Sequence, residues 1–440
     1  MSHLSSVSEK ELEGARSKRP LIWVKWGWFK FPFFFKTFRV TESGHRIIPL
    51  PSSPSQSPDR ALILRWTGFD LHPQEFSGLF DILRARNVAD ADLIFSKVGI
   101  PSLNFVFADD RGGIGYRAVG RTPRFPNDSA FGIPQESLAQ VEHSVAFSHP
   151  LTADEMPHVL NPSRGRVVTA NNVQWFSDSQ WKSGRAPYPS FRAFRIEELL
   201  AKTKAHDLQS LQQIQCDVQA VDARFLLPKM LQFIAGDLLG VPKDVLQVLN
   251  TWNFDANSEC KACGLYRRWV DRVMDDQKVN TVGLYRRLID PRDMASREAL
   301  KSSLKRNIGL ALEDLEYSKT KSLPIWSSLH LTHFPHLAGP DYHPVEPIST
   351  PGDEHTVNLG RAVWNGKQFE HTAGPSQRLI VEMSQPPQVY SVLAGSNQDI
   401  EARDLGSPSS EWQRWTRCQL QRREFPLDWS KVGLIKTKDL

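Results

Sequence analysis

The chain has 440 residues, enough for one large domain or two ordinary ones. Its 54 Lys and Arg nearly balance 49 Asp and Glu, leaving a formal charge of +5 with no dense basic block, which argues against a nucleic-acid partner. An aromatic share of 10%, including 13 Trp, fits large cores or binding clefts, and 4 cysteines are too few for a disulfide scaffold.

Residues 1–19 carry no apolar run, so they are no signal peptide and read as disordered or weakly helical. LIWVKWGWFKFPFFFKTFRV, Leu21 to Val40, is apolar enough to resemble a membrane span. Lys25, Lys30, Lys36 and Arg39 interrupt it, and a charge in a span is costly. Its alternation predicts two strands broken between Gly27 and Pro32. Strands continue to about Ile48, a Pro/Ser loop covers Pro49 to Arg60, and ALILRWTGFD reads as a strand. FSGLFDILRARNVADADLIFSKV has helical spacing. LNFVFADDRGGIGYRAVG predicts a hairpin, with strands at Asn104 to Ala108 and Ile114 to Val119 around DDRGG. After a loop to about Pro162, GRVVTANN (Gly165 to Asn172) reads as a strand ending in two asparagines, which are poor strand formers.

From about Phe194 to Leu315 the pattern is mainly helical. Strands follow at HTVNLGRAVW, QRLIVEMS and QVYSVLAG, then a helix and short tail. No internal repeat is visible. The sum is a mixed α and β chain whose sheet is split in sequence around a helical insertion. CKAC, Cys260 to Cys263, has CxxC spacing without a second CxxC or His pair. On a helix the two cysteines share a face, which favours buried packing over redox or metal use. His330, His333, His336 and His343 cluster, but without the carboxylate pattern of a zinc helix.

The ordered motifs RVTESGHRII, LILRWTGFD, PSLNFVFADDRGGIGYRAVGRTP, EMPHVLNPSRGRVVTANN, PYPSFRAFRIEELL, IQCDVQAVDARFLLPKML, LPIWSSLHLTHFPH, HTVNLG and GPSQRLIVEMS resemble the penicillin amidase (penicillin acylase) family. This family includes acyl-homoserine-lactone acylases, and its members are N-terminal-nucleophile hydrolases. The resemblance starts near Arg39 and is to the C-terminal part of the family's larger chain only. It implies an α+β fold, an αββα sandwich of the N-terminal-nucleophile-hydrolase type, incomplete here and with a helical insertion. The division expected is a non-family start at 1–19, first sheet segments at 20–193, a helical segment at 194–320, and strands and a helix completing the same domain at 321–440.

Such enzymes hydrolyse a linear amide to a carboxylic acid and an amine. Their nucleophile is a serine that self-cleavage exposes at the start of the larger chain. Its own α-amine is the general base, which is workable because an α-amine titrates at about 7.7–8.0. What remains necessary is a pair of donors for the tetrahedral oxyanion. By resemblance Asn171 is the side-chain donor, and Asn172 is structural; taken alone, an Asn pair is more often a turn. Arg192 matches a family arginine before a helix and would orient the amide and amine, with Arg195 beside it read as solvated. A surface salt bridge is the competing reading for both. Asn104 stands where the family usually has Gln-Asn, here SLN, and is a candidate substrate contact. No cofactor is required. The family often holds one structural calcium through carboxylates, for which Asp178 is the candidate here, and its histidines at the His330 segment are structural.

The serine, the first strands and the second donor would lie upstream. The expected partners are therefore a missing N-terminal acylase segment and a small acyl amide, a penicillin or an N-acyl-homoserine lactone. Met1 removal would expose Ser2, but SHLSSVSEKELEG shows no strand to carry a nucleophile into a sheet, so Ser2 is set aside. LAGSNQDIEARD also departs from the family's glycine-rich loop. The competing expectation is an inactive remnant or binding module of the same fold. No membrane span is expected, and a periplasmic or other extracytoplasmic location follows from the resemblance alone.

Overall fold

The computed structural model describes residues 2–12, 16–18, 21–26, 29–34, 38–40, 46–49, 60–66, 73–123, 150–172, 190–237, 240–291, 293–332, 347–394 and 410–423. Helices and strands are both present throughout, and the class is α+β. Contacts cluster into two units, Met1–Tyr188 and Pro189–Leu440.

The first unit begins with strands β1 (Ser2–Ser8), β2 (Arg16–Lys18), β3 (Leu21–Trp26), β4 (Phe29–Phe34), β5 (Phe38–Val40), β6 (Arg46–Pro49) and β7 (Arg60–Trp66). Five of them form one antiparallel sheet in the order β1-β7-β6-β5-β2. β3 and β4 form a separate hairpin, with Pro32 opposite Trp23. A proline is tolerated there because both strands of a two-stranded sheet are edges. The expected disordered start differs from the structure. Ser2–Ser8 pairs along its length with Trp66–Arg60, so the polar serines are held by a partner about sixty residues away that local pattern does not reveal.

Helices α1 (Pro73–Asp81) and α2 (Val88–Phe95) replace the single helix expected. The break comes at Asn87, whose side chain accepts from the Asp90 N–H at 2.9 Å and caps α2. β8 (Leu103–Ala108), β9 (Ile114–Val119) and β10 (His158–Leu160) form a three-stranded antiparallel sheet in the order β10-β9-β8. Phe95 of α2 stacks on Phe105 at 4.2 Å, and with Ala91, Val98 and Val119 this closes a small core. Tyr116, Ala118, Leu151 and Met156 form a second core, against which Val159 and Val167 pack.

The second unit is helical first: α3 (Phe191–Leu200), α4 (Leu208–Gln215), α5 (Val221–Phe233), α6 (Lys243–Thr251), α7 (Ala262–Gln277), α8 (Thr281–Ile289), α9 (Met294–Asp314), α10 (Tyr317–Thr320) and α11 (Trp326–Leu329). Side-chain oxygens of Asp207, Asn280 and Asp293 cap α4, α8 and α9. The main core gathers Leu226 and Met230 of α5, Trp269 and Val270 of α7, Leu304 and Ile308 of α9, and Trp326 of α11. Strands β11 (His330–Thr332), β12 (Ile348–Ser349), β13 (Arg361–Trp364) and β14 (Phe369–Ala373) form one sheet. β15 (Gln377–Glu382), β16 (Gln388–Leu393) and β17 (Gln421–Arg423) form another, with α12 (Ser410–Thr416) before β17.

All four cysteines are paired, as Cys216–Cys418 and Cys260–Cys263. Buried packing of two free thiols on one helix face is thereby corrected. α7 begins at Ala262, so the CxxC pair straddles the helix start, where the chain is still turning. No described helix is long and apolar enough to cross a membrane.

Candidate active site

The β8–β9 hairpin is built around Asp109. Its carboxylate accepts backbone N–H bonds from Val88 at 3.0 Å, Arg111 at 3.0 Å and Gly113 at 2.8 Å. These bonds, the one from Val88 foremost, hold the carboxyl below its ordinary range. The turn therefore fixes both strands and the start of α2 with one side chain. On β9, Tyr116 is fully buried, and burial pushes its phenol well up. A phenol kept neutral is a donor, and its O–H donates to Oδ1 of Asn104 at 2.6 Å. Asn104 is itself exposed. With its carbonyl oxygen taken by Tyr116, its amide N–H groups are what it has to offer a ligand.

The segment toward Asn171 is pinned to the same Tyr116 core by Val167 and contains buried Val168 and Ala170. It is not the strand expected: residues 165–169 are irregular and 170–172 form a bend. Asn171 has φ of 63°, a left-handed conformation that no strand residue adopts and that Asn tolerates better than most. The Asn172 side chain accepts from the Ala170 N–H at 2.9 Å and closes the bend. Asn171 is left exposed at its apex.

In the second unit, Arg192 lies in the first turn of α3 and is half-buried. Arg195, read from sequence as solvated, is 8% exposed, which corrects that expectation. Its guanidinium spans Asp217, with Nε to Oδ1 at 3.0 Å and Nη2 to Oδ2 at 2.7 Å, and its Nη1 donates to Glu198 at 2.7 Å. Pattern alone cannot show this, because Asp217 lies 22 residues on. Asn104 bonds Tyr116, and Val167, four residues before Asn171, packs on the same Tyr116 core, while Arg192 belongs to the other unit.

His330 is fully buried. Its Nδ1 lies 2.7 Å from the Thr350 carbonyl and 3.1 Å from the Thr350 hydroxyl, and its Nε2 lies 3.0 Å from the Gly360 carbonyl. Both nitrogens are engaged by protein oxygens, which is a structural seat. Burial lowers its pKa from 6.5 to about 4, with His371 and Arg267 acting in the same direction. His333, His336, His343 and Asp178 lie outside the described residues. Among the described residues no group of three or more His, Cys, Asp or Glu is arranged to hold a metal. A second charged cluster surrounds Arg267, whose Nη2 donates to Asp222 at 3.0 Å and Asp353 at 2.7 Å in the core. Sequence reasoning missed it, because each partner is isolated in the sequence.

The family model for penicillin amidase matches residues 34–432, and the chain belongs to that family. Among solved structures, it is similar to a thermostable penicillin G acylase from Alcaligenes faecalis. That likeness has a TM-score of 0.60 at 14% identity, over 96% of this chain and 83% of the other, and shows a shared fold.

Proposed function

We propose that the chain carries the oxyanion-stabilising part of an acylase that hydrolyses a linear amide, such as a penicillin or an N-acyl-homoserine lactone, to a carboxylic acid and an amine. The observation that carries this is Asn171, exposed at φ 63° on a bend braced by Val167 and Asn172, within a chain that belongs to the penicillin amidase family. The nucleophile in this reading is an N-terminal serine on an upstream acylase segment. Its hydroxyl attacks the amide carbon while its α-amine takes the proton. The Asn171 amide N–H and a backbone N–H of that segment stabilise the oxyanion. Collapse expels the amine, which receives the proton, and water then releases the acid from the acyl-serine. Arg192 is the orienting arginine of this reading, and Asn104 offers its N–H groups to the substrate. No cofactor takes part in these steps, and the structural calcium of the family would rest here on Asp178 alone. Two disulfides fit an oxidising, extracytoplasmic compartment.

One observation favours a second reading of the nucleophile. Ser2 opens β1, which is paired in register with β7, so a strand does carry it into a sheet. Assaying phenylacetyl and long-chain acyl amides with the purified chain, alone and co-expressed with a family N-terminal segment, separates the two. Activity only on co-expression supports the upstream serine. Activity of the chain alone, abolished by Ser2→Ala, replaces it with Ser2. No activity in either case leaves an inactive binding module and overturns the proposal.

A further inference from the structure

Arg192 begins a helix whose start is poorly secured by its own residues. Ser190 at the cap position of α3 makes no side-chain capping bond, which leaves that job undone at a helix end. Side-chain contacts fix this turn instead. Phe191 meets His355 edge-on at 5.1 Å and Phe225 at 6.2 Å. Arg195, one turn beyond Arg192 on the same helix, is held by Asp217 through two parallel bonds and by Glu198 through a third. A forked, buried guanidinium pair of this kind sets orientation as well as attraction.

Asp217 is itself a junction. Its carboxylate also accepts the Gln219 N–H at 3.3 Å, and its carbonyl accepts the Asn358 N–H at 2.9 Å. The Asn358 side chain accepts from buried Arg378 at 2.6 Å. On the other side Glu198 is shared with Arg224, whose Nη1 lies 3.1 Å from both of its oxygens and 2.9 Å from the side-chain Oε1 of Gln219. Arg195 thus ties α3 to a rigid part of the second unit rather than to solvent.

We propose that Arg195, through Asp217 and Glu198, is a positioning residue that fixes the first turn of α3 and with it the direction of the Arg192 side chain. This rests on the reading of Arg192 given above. In this reading Arg195 acts only by holding the helix that bears Arg192. A loosened clamp lets the Arg192 side chain sample other orientations, which lowers turnover while substrate binding by other residues persists.

Removing Arg195 alone would leave the half-buried Asp217 carboxylate without its cation and risks destabilising the fold. The test therefore uses the apolar double replacement Arg195→Met with Asp217→Leu, which removes the clamp but fills its space, and Arg195→Lys, which keeps charge but not the fork. Hydrogen exchange on the full chain needs no activity. The expected result is faster exchange of the first bonded amides of α3, those of Phe194 and residue 195, in both variants, with α9 unchanged. In the co-expressed acylase, kcat falls about tenfold with KM within about twofold, and adding the double replacement to Arg192→Met causes no further loss. Unchanged first-turn exchange in both variants overturns the proposal. So does an unchanged kcat in the double variant when Arg192→Met lowers it, an outcome that leaves the Arg192 role standing. If Arg192→Met itself leaves kcat unchanged, the role of Arg192 falls, and the positioning role falls with it.

Discussion

Acid should destabilise the second unit through His330, and the effect can be isolated. The ring is fully buried, stacked on Trp326 at 4.6 Å, and its pKa falls from 6.5 to about 4, mainly through loss of solvent. The groups facing it are His371, whose pKa is also lowered by burial, and the Arg267 guanidinium. A depressed folded pKa means that the unfolded chain binds the proton first. Stability is therefore complete above the unfolded value and is lost as pH falls from about 6.5 toward about 4. A shift of this size corresponds to about 3 kcal/mol at its limit, and to about 2.5 kcal/mol between about pH 7.5 and about pH 4.5. His330→Gln keeps a polar amide but removes the titration. Urea unfolding of both proteins at the two pH values gives the comparison. The parent should lose about 2.5 kcal/mol more than the variant on acidification, whatever their absolute difference at neutral pH. Parallel pH dependences would refute the reasoning, because they would mean that the buried ring is already charged or that solvent reaches it.

Asp271 should act with the opposite sign. Burial raises its pKa from 3.8 to about 6 against the opposing pull of Arg267 and Arg268, so its stabilising effect is present at low pH and lost as pH rises through about 6. Asp271→Asn should stabilise the protein by about 1–3 kcal/mol at neutral pH and by almost nothing near pH 4, read from urea midpoints; equal gains at both would exclude the assignment. Opening Cys216–Cys418, which closes a loop of sequence separation 202, with paired Cys→Ser changes should lower stability by up to about 5 kcal/mol. An unchanged denaturation midpoint would show that the bond contributes nothing to the fold.

What sequence pattern reveals here follows the range of the interaction. The 103–119 hairpin is legible because alternating residues flank a turn whose Asp and glycines act within a few positions of each other. The helical stretch after residue 190 is legible for the same reason. The misses all depend on distant partners. Ser2–Ser8 becomes a strand because β7 is there to pair with it. Arg195 looks solvated until Asp217 is brought beside it, and Cys216 finds Cys418 across most of the second unit. At Asn171 the β-branched residues point to a strand, yet the side chain of Asn172 bends the backbone out of it. That local failure of propensity falls at the residue proposed as oxyanion donor.

The most direct measurement concerns that same residue. In the chain co-expressed with an upstream acylase segment, Asn171→Gly, which tolerates the left-handed backbone at φ 63°, should lower kcat for amide hydrolysis by about 10²–10³ while leaving KM and thermal stability nearly unchanged, because one oxyanion donor is lost. A variant that turns over as fast as the parent would contradict the assignment of Asn171 and, with it, the proposed active site.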